Sequence, residues 1–159
     1  MTRSEITVRF FLPWVAVLVL GGCAVIPPGA PPYSRAPDPG PSQSNLYVYR
    51  IGAYPTLRTP TISIDGKPLF DPPEKAYTVI ALEQGPHEFV VDWARDTGWP
   101  DLKFPFDVQA GTPLYIKISG SFETGGMYNT AGSSARSVPP EQAEAELSSC
   151  CKYIKPNAK

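Results

Sequence analysis

The chain is poor in the residues from which most catalytic and metal centres are built. Its 159 residues include one histidine, His87, and three cysteines, Cys23, Cys150 and Cys151. A single histidine excludes a three-histidine zinc site within one chain. The cysteines, one near the start and an adjacent pair near the end, lack the C-x-x-C spacing of zinc and redox sites. Charge is also scarce: 14 Lys and Arg stand against 15 Asp and Glu, for a net charge of −1. A nucleic-acid partner needs a basic surface to displace counterions, so none is expected. No polybasic run is present to hold an anionic membrane surface. The longest uninterrupted apolar run near the start, Phe10 to Leu20, has eleven residues, short of the roughly 20 that a spanning helix needs. The glycine-rich stretch 120–134 contains no lysine and lacks the GxxxxGK[ST] order of a phosphate cradle.

Proline is what the chain has in excess. Its 20 prolines are more than twice the usual share of about 5%, which resists helix and favours extended segments, turns and edge strands. With 42% hydrophobic residues the chain can still bury a core, and its length suits one domain of roughly 100–150 residues.

The first residues divide as a secretory signal does. MTRSEITVR is net positive through Arg3 and Arg9, FFLPWVAVLVL is apolar, and Leu20-Gly21-Gly22-Cys23 follows. The residues alone also admit an uncleaved membrane anchor or an ordinary signal cut elsewhere. The tetrapeptide resembles the lipobox of bacterial lipoproteins, a branched apolar residue and two small residues before a cysteine. That resemblance implies diacylglycerol on the Cys23 thiol, cleavage between Gly22 and Cys23, and acylation of the new amino terminus by a palmitate-type chain. Two or three acyl chains anchor a protein stably where one is marginal. Ala24, in place of an aspartate, implies the outer membrane, facing the periplasm.

Ala24 to Ser44 holds seven prolines in 21 residues. This composition predicts a semi-rigid polyproline II spacer with a reach on the order of 60 Å. From Asn45 the hydrophobic period is two. Strands are predicted at 45–51, 61–65, 68–70, 76–82, 87–93, 103–108 and 113–119, with Asp65-Gly66 as a hairpin turn. Strands 45–51 and 76–82 are apolar on both faces. Pro68 and Pro105 cannot donate ladder bonds, which puts their strands at edges or those positions toward solvent. Seven short strands make a small antiparallel β-sandwich, with a closed barrel as the alternative. Residues 120–134 read as a loop. Pro139 to Leu147 reads as a short helix, with early glutamates suited to its dipole and Ala143 and Leu147 one turn apart. The resulting organisation is 1–22 signal, 23–44 lipidated cysteine and tether, 45–122 β-sandwich, and 123–159 loop, helix and tail. The order YVYR, IDG, Gly85-Pro86-His87 and Ala110-Gly111…Leu114-Tyr115-Ile116 is similar to lipoprotein domains of unknown function with a transthyretin-like or PEGA-like sandwich. That resemblance implies a fold and an address, and carries no activity.

Candidates for chemistry are few. His87 opens a strand on its apolar face with no nucleophile in a recognisable motif, so a strand-end role is expected. Asp92 to Asp101 gathers three carboxylates and two tryptophans in ten residues, enough to raise calcium binding, sugar stacking or glycoside hydrolysis. The simpler reading is a solvated loop with Trp93 in the core and Trp99 over it. Arg50 is expected to pair with a carboxylate at the sandwich edge. Cys150 and Cys151 are left as a vicinal disulfide, an intermolecular bond or free thiols, in a compartment that permits oxidation. The sequence therefore points to a non-catalytic interaction or structural module, lipid-anchored in the cell envelope, with an envelope protein as partner. The alternatives are a glycan-, peptidoglycan- or peptide-binding module that uses Trp99 and Tyr115, and an envelope hydrolase. No metal or cofactor is expected beyond the covalent lipid on Cys23.

Overall fold

A computed structural model describes residues 25–53, 58–125 and 128–157. The expected signal, Gly22 and Cys23 lie outside the described residues. The chain folds as a small β-sandwich of two sheets with a short C-terminal helix. The strands are β1 (Gln43–Arg50), β2 (Thr61–Ile64), β3 (Lys67–Phe70), β4 (Ala76–Glu83), β5 (Gly85–Asp92), β6 (Leu102–Val108), β7 (Leu114–Gly125), β8 (Tyr128–Ser137) and β9 (Lys152–Tyr153). Helix α1 spans Pro140–Cys150.

One sheet runs β3-β2-β5-β6 and the other β8-β7-β1-β4-β9. Every pairing in the first is antiparallel, whereas β1–β7 and β4–β9 in the second are parallel. Pro68 and Pro105 fall in β3 and β6, the two edges of the four-stranded sheet, where a missing donor costs no ladder bond. Asp65 and Gly66 both adopt positive φ, at 51° and 73°, as a tight two-residue hairpin requires.

Three expectations change here. The sandwich has nine strands among the described residues rather than seven, and it is not wholly antiparallel, since β7 joins β1 and β9 joins β4 in parallel. Residues 120–134, expected as a loop, belong largely to a long hairpin: β7 runs through Gly125 and β8 returns in register from Gly125↔Tyr128 to Ile116↔Ser137. Glycine, serine and alanine have weak strand propensity, but a paired neighbour outweighs propensity. The predicted spacer also differs over its described part. Pro32 bridges to Lys152, Tyr153 N–H donates to Pro31 O at 2.8 Å, and Tyr33 packs edge-on against Tyr47 and Tyr77. The proline-rich segment is thus docked along the sheet rather than held away from it.

The five-stranded sheet is consequently a middle layer. Its inner face packs Leu46, Val48, Ile116 and Ile118 against Ile62, Phe70, Phe89, Val91 and Trp93 of the opposing half. Its outer face packs Tyr47, Tyr49, Tyr77 and Tyr115 beneath Ala143 and Leu147 of α1 and beside Tyr33 and Ala36. Strand β1 is buried on both faces because both are covered. Helix α1 starts on Pro140, whose fixed φ suits a first turn, with Glu141 complementing the positive end of the helix dipole. Its buried residues are Ala143 and Leu147.

Candidate functional site

Polar and aromatic groups gather in the tyrosine layer on the outer face. Alternation along β1 sends Tyr47 and Tyr49 to one side while Leu46 and Val48 go to the other. Tyr47 stacks on Tyr115 of β7 with ring centroids 4.7 Å apart. Each hydroxyl then reaches the covering layer. The Tyr47 hydroxyl accepts from Ala36 N–H at 2.8 Å, and the Tyr77 hydroxyl from Ser34 N–H at 3.2 Å. Tyr115 donates to Glu144 Oε1 and Tyr49 to Glu146 Oε2, each at 2.8 Å. Lys117 and Gln142 also donate to Glu146, at 3.0 and 2.8 Å, and Arg35 pairs with Glu144 at 2.6 Å.

The electrostatics of this layer hold its hydrogen bonds in place. Burial, followed by the hydrogen bond to a carboxylate, pushes the hydroxyls of Tyr49 and Tyr115 far above the usual phenol range. Burial raises Tyr47 as well, against the Ala36 N–H that favours its ionised form. Tyr49 and Tyr115 therefore stay neutral and donate to their carboxylates. Burial favours protonation of Glu146, but hydrogen bonds from Gln142, Lys117 and Tyr49 outweigh it and hold the carboxyl below the usual range. Between the docked segment and the sheet lies an open cleft of about 250 Å³, lined in part by Arg35, Asp38, Ser44, Asn45 and Tyr47.

The residues singled out in the sequence are dispersed. Tyr115, expected as a ligand contact, is only 1% exposed beneath α1, so it is closed to a surface ligand. Trp99 is half-buried against the inner core, 6.2 Å from Trp93 between ring centroids. The five-stranded sheet separates the two, and they form no shared stacking platform. Of the nearby carboxylates, Asp101 accepts from Trp93 N–H at 2.8 Å, Asp96 pairs with Arg58, and Asp92 is exposed. Among the described residues no three His, Cys, Asp or Glu side chains converge to hold a metal ion.

His87 sits at the start of β5 with both ring nitrogens engaged, Nδ1 at 2.6 Å from Asp65 Oδ2 and Nε2 at 2.9 Å from Glu83 O. Burial works against its charged form, yet the bonds to Asp65 and Glu83 O prevail and raise its pKa. Asp65 is lowered in turn, first by that hydrogen bond. The imidazole fastens the β2–β3 turn to the β4–β5 turn.

Arg50 pairs with a carboxylate, Glu74, as expected, but from a central strand rather than an edge. It is fully buried at the end of a central strand and donates to Arg58 O, Pro72 O and Ala53 O at 2.8, 3.1 and 3.0 Å. Glu74 Oε2 stands 3.9 Å from its Nε, and its guanidinium lies 5.4 Å from the centroid of the Trp93 ring. Burial lowers its pKa, against the Glu74 charge. The side chain gathers loop carbonyls that no ladder reaches. A lone arginine in a strand with apolar neighbours on its own face was the available signal.

Cys150 and Cys151 lie at the end of α1 with their sulfurs side by side. Cys151 is buried in the tyrosine layer, and burial pushes its thiol well above the ordinary range, which keeps it protonated. Cys150 is half-buried and directs its thiol at Glu146 O, 3.4 Å away. No family model, curated protein or solved structure matches this chain.

Proposed function

We propose that the protein is a lipid-anchored, non-catalytic module of the bacterial cell envelope, held in the outer membrane through Cys23 and facing the periplasm. Leu20-Gly21-Gly22-Cys23 carries this reading, placed as it is after a positive segment and an eleven-residue apolar run. A cysteine that is to be acylated needs small residues beside the cut and a position at the membrane surface, and this tetrapeptide supplies both. Support for a binding rather than a catalytic role comes from the polar groups themselves. His87, Glu144, Glu146 and Arg50 are each engaged by neighbours within the fold. Among the described residues no helix is long and apolar enough to cross a membrane. The partner in this reading is an envelope protein or peptidoglycan.

The test is the intact mass of protein extracted from membranes, with Cys23→Ser alongside. Residues 23–159 plus acyl chains are expected for the parent, and loss from the membrane fraction or retention of the signal for the variant. A full-length, unacylated mass for the parent overturns the reading.

A further inference from the structure

We propose that the edge of the fold formed by residues 27–31 and β9 is the face that rests against the phospholipid surface entered by the acyl chains of Cys23. The inference depends on the lipid-anchor reading and says how the anchored domain sits.

Chain length comes first. Pro27 is four residues after Cys23, so at most about 14 Å of extended chain separates them. Half the difference between whole-bilayer and hydrocarbon thickness leaves a headgroup layer of roughly 5–8 Å. A domain fixed at Pro27 therefore lies within a headgroup layer or two of the hydrocarbon.

Pro27 is where the chain is first fixed. Ala30 N–H donates to Pro27 O at 3.1 Å, and Gly29 takes the positive φ of 82° that closes this Pro-Gly turn. Pro31 O then accepts from Tyr153 N–H, and Pro32 bridges to Lys152. Docking removes the slack of the next fifteen or so residues, roughly 45 Å of a polyproline spacer. The anchor therefore holds this edge close.

The surface chemistry agrees with that position. Val25, two residues from Cys23, is 74% exposed and is the large apolar side chain left in solvent among the described residues. Beside it, Pro27, Pro28 and Pro31 are exposed and line an open groove of about 430 Å³ with Tyr153, Ile154 and Lys155. After Glu146 the sequence has Lys152, Lys155 and Lys159 and no acidic side chain. A partly buried tyrosine, aliphatic and proline side chains, and flanking lysines suit the boundary where hydrocarbon meets phosphate.

The test uses the full-length, acylated protein in vesicles of phosphatidylcholine with one-third phosphatidylglycerol, with and without brominated acyl chains. After loss of the signal, Trp93 and Trp99 are the native tryptophans, both packed with the inner core, and their emission is the background subtracted from each variant. Exposed Lys155→Trp and, as a second position, Pro28→Trp each add an emitter at the proposed face, while Lys103→Trp adds one on the outward side of β6. In vesicle-bound protein the emission added at 155 and 28 is expected to fall at least twofold with bromolipid, and that at 103 to stay within a tenth of its value. Unquenched emission at both 155 and 28 in acylated, co-floating protein overturns the proposed face and leaves the anchor standing. Protein that carries no acyl mass and fails to float overturns the anchor and the proposed face with it.

Discussion

The two faces of the five-stranded sheet are both buried, but by different chemistry. The inner face meets another sheet through Leu46, Val48, Ile116 and Ile118, side chains without polar atoms, and holds one cation, Arg50. The outer face meets a helix and a proline-rich segment through Tyr47, Tyr49, Tyr77 and Tyr115, each ending in a hydroxyl bonded to the covering layer. Sheet-on-sheet packing supplies regular apolar surfaces that interdigitate, so non-directional burial suffices. A segment such as 31–37 has no ladder of its own, and its free N–H and C=O groups would be costly under a purely apolar cover. Tyrosine meets that need, with an aromatic body for the core and a hydroxyl for the backbone above. The inner face is held by burial except at Arg50, where three hydrogen bonds are concentrated in one side chain, and the outer face by burial with direction spread over four hydroxyls.

This contrast can be broken by removing a polar tip while keeping bulk on each face. Arg50→Met should have the largest effect. It leaves the carbonyls of Ala53, Arg58 and Pro72 without their donors, and a loss of about 3 kcal/mol or more is expected in urea unfolding. Tyr47→Phe removes the acceptor of Ala36 N–H while keeping the ring. About 1 kcal/mol should be lost, and amide exchange should rise across residues 33–36 ahead of the sheet. Equal losses for the two variants, or no local exchange at 33–36, would erase the distinction between the faces.

Smaller effects are pH-dependent. Glu146 has a lowered folded pKa, so its contribution is present above the unfolded glutamate pKa and is lost as pH falls through the folded value. Glu146→Gln should therefore lower stability near neutrality, by about 1 kcal/mol or less, and flatten the decline of the urea midpoint below about pH 4.5. His87 has the opposite sign. Its raised folded pKa gives a contribution that is complete below about pH 6.5 and disappears as pH rises through the folded value. Its partner Asp65 is 45% exposed, so screening keeps the pair near about half a kcal/mol. Comparing urea midpoints at pH 5.5 and 8.5, the parent should lose slightly more than His87→Gln.

Much of the sandwich was legible because strand patterns are local. Ile62 and Ile64 in β2, and Phe89 and Val91 in β5 with Trp93 just past its end, alternate as buried positions, and Pro68 and Pro105 marked edges. The double apolar character of β1 was visible too, and it meant a sheet covered twice. The covering layer was less legible. Tyr33 is one aromatic in a run that otherwise reads as spacer, and its docking depends on Tyr47 and Tyr77, distant in sequence. Strand β8 reads as a loop from composition, because its pairing comes from β7 rather than from its own residues. Tyr115 drew attention as an aromatic near loops, but its parity opposite Ile116 puts it under α1, where Glu144 receives its hydroxyl.

The sequence by itself determined the β class, most strand positions, the hairpin turn at Asp65-Gly66, the C-terminal helix and the Leu20–Cys23 motif. Each depends on residues within a few positions of one another, through side-chain alternation, fixed φ or a short recognition order. Tertiary structure alone decided that the proline-rich segment lies on the sheet, that Arg50 gathers three loop carbonyls, and that Trp99 and Tyr115 lie on opposite sides of one layer. Those outcomes turn on which groups meet across long stretches of chain, and a buried donor or acceptor must find its partner wherever the fold supplies one.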